Sequence, residues 1–172
     1  HLQDRLLGTP SLERNIIFGA VMGAGAVASI ALAIQFQPGI LFDLRCTLIA
    51  VAGFIGGPVA ALVAGAAAIA YRLALGGAGV SSGIVGIGLT IAIGSAFYLA
   101  RRKQLPGMGL SLLFAGAASI VPFIGLATLA DDVRLQAIAN YGPALLGLSF
   151  LASLLAVILI VHARKREEAS SL

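Results

Sequence analysis

Twenty-six uncharged residues separate Arg45 from Arg72, and Gly56-Gly57-Pro58 is the one break in this run. Carried on to Leu75, the run would make a helix about 45 Å long, against a bilayer core of about 30 Å. A proline inside a helix removes a backbone donor and clashes with the preceding turn. Two glycines before it loosen the backbone further. Residues 46–75 therefore form either one kinked crossing or a hairpin of two short helices. An arginine beside apolar membrane helices costs about 2.5–3.5 kcal/mol on the translocon scale, so a pair flanking one apolar run needs a physical reason.

Four further apolar runs, 15–35, 80–100, 107–130 and 141–162, are each long enough to cross as a helix. The chain is 59% hydrophobic and 10% charged, with mean hydropathy +1.03, which excludes a soluble globular domain. The expected fold is an all-α integral membrane bundle of about five to six transmembrane segments, with a Gly-Gly-Pro-broken helical hairpin. Close helix contacts are expected at Gly19-xxx-Gly23, Gly53-xxx-Gly57, Ala61-xxx-Gly65 and Gly79-xxx-Gly83, because small residues let backbones approach in lipid. Thr9-Pro10-Ser11 and Pro38-Gly39 read as turns, with Ser11 able to cap the first helix. Pro122 reads as a kink. Asp131, Asp132, Arg134 and Asn140 mark a polar loop.

Charge counting chooses between the two forms of 46–75. A single crossing puts seven basic residues inside and four outside. A hairpin puts Arg5, Arg14, the 101–103 cluster and the 164–166 cluster inside, eight in all, and leaves Arg45, Arg72 and Arg134 outside. The positive-inside rule prefers the hairpin. The net charge of +4 is thus a matter of topology, not of nucleic-acid binding. Residues 1–14 read as a cytoplasmic lead-in with no cleavable signal peptide, 15–162 as the membrane domain, and 163–172 as the start of a cytoplasmic linker.

In the hairpin, Arg45 and Arg72 share one mouth with Asp43, leaving one surplus positive charge. Guanidinium groups grip a carboxylate through paired hydrogen bonds. Tyr71, Thr47, Ser81 and Ser82 can add neutral hydrogen bonds, and the amides of Gly76, Gly77 and Gly79 an anion nest. The alternative is structural: the outer charges, Asp131, Asp132 and Arg134 included, sum to zero, so the arginines are paired or snorkel to the headgroups. Charge alone does not separate the two. Cys46, the single cysteine, reads as a small buried hydrophobe, and no disulfide is possible within the chain. His1 and His162 lack metal-ligand spacing, and no cofactor motif or catalytic set is present. The helix centres carry no ionisable residue, unlike those of ion-coupled transporters.

The stretch FDLRCTLIAVAGFIGGPVAALVAGAAAIAYRLALGGAG resembles the LytS-type transmembrane sensor family, the LYT five-transmembrane receptors. Asp43-Leu44-Arg45, the Gly-Gly-Pro triplet, Tyr71-Arg72-Leu73 with the following glycine turn, and the basic cluster at 101–103 carry the likeness. It implies a sensory domain of the bacterial inner membrane, with one more helix upstream. It also implies a cytoplasmic histidine kinase or GGDEF diguanylate cyclase downstream, so the fragment itself is not an enzyme. Implied partners are the lipid bilayer, a small extracellular carboxylate such as pyruvate at Arg45 and Arg72, and a second copy in a homodimer. The competing expectations are a substrate-binding subunit of a small-molecule importer, similar to vitamin S-components, and a purely structural anchor.

Overall fold

A computed structural model describes residues 10–37, 40–42, 44–77, 79–100, 108–126 and 131–170. Among the described residues, five helices and a small ribbon follow in order: α1 (Pro10–Ala31), β1 (Ile34–Gln37), β2 (Ile40–Phe42), α2 (Arg45–Leu75), α3 (Val80–Ala100), α4 (Met108–Leu126) and α5 (Asp131–Ser170). α1 begins at Pro10, one residue before the expected cap Ser11. Proline is at ease in a first helical turn, where its missing N–H has no partner to lose. β1 and β2 pair antiparallel, Ile34 with Phe42 and Gln35 with Leu41. They flank the expected turn at Pro38-Gly39, which lies outside the described residues.

α2 is two helices. Gly57 has φ 84° and ψ −176°, a backbone state that is essentially glycine's alone, and Pro58 follows it. We call residues 45–56 α2a and residues 58–75 α2b. α3 shows that they fold back on each other. Along α2a, Gly53 lies on the backbone of Gly94 and Gly57 on the ring of Tyr98. Along α2b the order reverses: Gly65 lies on Ile91 and Ile87, and Arg72 reaches Gly83. The hairpin expected from the charges is the observed form. At about 18 Å, α2a is too short to cross a bilayer core.

Broken backbone at membrane depth survives where protein covers it, and here it does. Gly56 and Gly57 are buried. In its most apolar stretch α2 is 72% buried, against 22–28% for the other long apolar helices, so the hairpin is the core of the bundle. α1 and α3 both pack along it. Gly19 sits on Ala60 and Gly23 on Ala64 and Ala67, and Gly53, Gly57 and Gly65 meet α3, so these expected small positions are used, whereas Gly83 meets two arginine side chains instead of a helix backbone. By length and composition α1, α3 and Gly142–Leu159 of α5 can cross a membrane, Met108–Ile124 of α4 is a shorter apolar helix, and α2 has the length for a crossing only if its fold-back at Gly57 is ignored. Pro122 lies within α4.

One expectation fails. Residues 131–140 are not a loop: α5 starts at Asp131 and runs to Ser170. Polar composition does not by itself exclude a helix. The segment has no glycine, and Asp131 and Asp132 suit the positive end of a helix.

The hairpin defines two ends. The mouth holds Arg45, Arg72, the ribbon and the glycine turn. The tip holds Gly57, the start of α1 and the end of α5. The basic cluster at 101–103 comes after α3, and the one at 164–166 lies in the last part of α5; by the positive-inside rule both would put the tip on the inner side. A cysteine at Ser81 in a Cys46→Ser background is therefore expected to react with an impermeant maleimide from outside intact cells. One at Leu12, exposed near the tip, is expected to react only after lysis. The reverse pattern would invert the topology.

Candidate functional site

Arg45 is the first residue of α2a, and Arg72 lies in the last turn of α2b. Their separation in sequence vanishes at the mouth because Gly57 turns the chain back. Both side chains are buried, Arg45 to 9% exposure and Arg72 to 1%. They converge on one residue of α3. A Cβ built on Gly83 would lie 3.2 Å from Arg45 Nη2, 3.2 Å from Arg72 Nε and 3.4 Å from Arg72 Cγ. Both guanidinium groups thus rest against bare helix backbone. Any side chain at Gly83 would displace them.

Arg72 also builds its own surroundings. Its Nη1 donates to the carbonyl of Gly76 at 2.9 Å. The Gly76 amide donates back to the Arg72 carbonyl at 3.2 Å. Gly76 and Gly77 have φ of 66° and 95°, which explains why glycines close this turn. The turn enters α3 through Val80 N to Gly77 O at 3.2 Å and Gly83 N to Gly79 O at 2.9 Å. The Gly76 amide is therefore engaged in ending α2b rather than offered to a ligand. Gly77 is exposed and Gly79 buried.

The other expected residues are placed as follows. Thr47 is buried. Tyr71 is half-buried and packs on the core that includes Ala26, Ile30 and Ile49. Ser81 is exposed and Ser82 half-buried. Asp43 lies outside the described residues. Cys46 is buried beside Arg45, its Sγ 3.9 Å from where a Cβ of Gly86 would be.

Three residues escaped the sequence reading. Gly83 was visible as a small contact position, but not as the floor beneath two arginines. Ser29 fixes α1 to the mouth, its Oγ accepting from the Leu44 amide at 3.0 Å. Thr90, 1% exposed, donates to the Gly86 carbonyl at 2.7 Å. A lone hydroxyl near the end of an apolar helix is the one signal that could have pointed to Ser29.

Two guanidinium groups this close repel unless negative charge offsets them, and burial sharpens that demand. Chemically the mouth is suited to an anion that accepts hydrogen bonds from both. No group of three or more His, Cys, Asp or Glu placed to hold a metal occurs among the described residues.

The family model described as 5TMR of 5TMR-LYT matches residues 3–166 of the chain. No curated protein and no solved structure matches.

Proposed function

The chain belongs to the LytS-type five-transmembrane receptor family, and from that premise we propose that it binds a small extracellular carboxylate, such as pyruvate, between Arg45 and Arg72. Membership makes it a multi-pass membrane sensory domain of a signalling protein. In the proposed reading, binding regulates a diguanylate cyclase or histidine kinase on the inner side of a bacterial inner membrane, in a homodimer. The carrying observation is the convergence of two buried guanidinium groups, from opposite ends of one apolar run, on Gly83. A site that takes its two cations from two halves of a broken helix can read a ligand as a change in how those halves pack. A ligand shifts a conformational equilibrium only by its differential affinity for the states.

The test is calorimetric titration of the chain in nanodiscs with pyruvate, acetate and the neutral amide of pyruvate. The acids are expected to bind saturably and the amide not. Arg45→Ala is expected to weaken the acids by about thirtyfold or more, since truncating one side of a buried charged pair costs about 2–5 kcal/mol. Equal affinity in Arg45→Ala and the native chain would remove the site.

A further inference from the structure

α5 is held to the bundle by a narrow stripe. Its buried residues, among those described, are Gly142, Ser149, Ser153 and Val157, all on one helix face. The first three carry no more than a hydroxymethyl group. Val157 is the one fully buried apolar side chain of α5 among the described residues, and it joins a cluster with Phe54, Ile55, Phe114 and Ala118. Phe54 is the hub. Its ring stacks on Phe114 with centroids 4.3 Å apart and planes 19° apart, and meets Phe97 edge-on at 6.1 Å. Phe97 meets Phe114 edge-on at 5.6 Å. One cluster near the tip thus joins α2a, α3, α4 and α5.

α2a connects this cluster to the mouth. Arg45 is its first residue and Phe54 lies more than two turns further on. Residues 49–57 are buried without exception. The non-helical Gly57 and the missing N–H of Pro58 separate α2a from α2b. It meets α3 backbone against backbone at Gly53 and Gly94, and through side chains where Phe54 meets Phe97 and the Tyr98 ring lies over Gly57. A short buried helix set off from α2b by a non-helical residue can move as a unit.

We infer that α2a is a lever: a displacement of Arg45 at the mouth moves Phe54, and through Phe114 and Val157 it moves α5, whose helix runs on past the tip to Ser170. The inference takes the mouth as the input end, as proposed above. Its test uses no ligand, so a failure here and a failure of the carboxylate reading are separate results.

The test is pulsed electron paramagnetic resonance on the whole chain in nanodiscs. Spin labels are placed at the exposed tip positions Leu99 and Leu159 in a Cys46→Ser background. Arg45→Gln and Arg45→Lys serve as the perturbations at the mouth. Each is expected to move the label distance by about 1–2 Å, the scale of helix shifts in switching proteins. Phe54→Leu is expected to abolish that shift, and lipid-facing Leu113→Ala to leave it intact. Phe114→Leu and Val157→Ala give the same reading if Phe54→Leu does not fold. An unchanged distance in both Arg45 variants would overturn the lever. So would a shift that persists when Phe54, Phe114 or Val157 is altered.

Discussion

Gly94→Leu is expected to unfold this protein or lower its melting temperature sharply, while Gly88→Leu, nearly two turns earlier on the same helix, leaves it unchanged. A Cβ on Gly94 would stand 2.6 Å from the carbonyl oxygen of Ala50 and 3.1 Å from Gly53 Cα. These are backbone atoms of α2a and cannot rotate away. The helices must part, and with them the packing of the most buried element in the fold. Overpacking a core typically costs about 1–3 kcal/mol. Here the obstacle is backbone rather than a flexible side chain, so the upper end or more is expected. At Gly88 a Cβ meets nothing within 4 Å and the position is exposed. Helix propensity there favours leucine over glycine by roughly 0.5–1 kcal/mol. Thermal unfolding of the purified variants in one detergent checks both. A Gly94→Leu protein that melts like the native chain would mean that α2a and α3 do not meet at these glycines.

That pair of glycines also shows what the sequence could and could not tell. Gly53 was legible as a contact position through its four-residue spacing to Gly57, the pattern of close helix packing in lipid. Its partner Gly94 was not, because pairing depends on how far the hairpin folds back. The hairpin itself was legible only in part: Gly56-Gly57-Pro58 fitted a kinked crossing as well as a hairpin, and the basic residues favoured the return by eight to seven. Gly83 was opaque for the opposite reason. What a missing side chain makes room for is decided by the residues that other segments bring to it, here one arginine from each half of α2. Residues 131–140 misled because charge reports where a segment lies and says little about its backbone.

Arg72 has two roles that one pair of substitutions should pull apart. As a structural group it donates to the Gly76 carbonyl and closes the turn into α3. As a proposed ligand group it presents Nε beside Arg45 Nη2 over Gly83. Arg72→Ala removes both roles and leaves a cavity where one of the largest fully buried side chains stood. It is expected to destabilise by about 2–4 kcal/mol, set by the cavity and the abandoned carbonyl and reduced by relief of repulsion from Arg45. It is also expected to weaken pyruvate binding by about a hundredfold or more, within the roughly 2–5 kcal/mol span of broken buried charge contacts. Arg72→Lys keeps the charge and one donor able to reach Gly76, but an ammonium cannot offer two parallel N–H groups to a carboxylate. Stability is therefore expected to return to within about 1 kcal/mol of the native chain, the size of a single hydrogen bond. Affinity is expected to stay at least tenfold down. The decisive comparison is melting temperature against titration for the same two proteins. If Arg72→Lys restored both together, the guanidinium would be there for the turn alone. The outer end would then be a buried structural pair, and the carboxylate would have to be sought elsewhere.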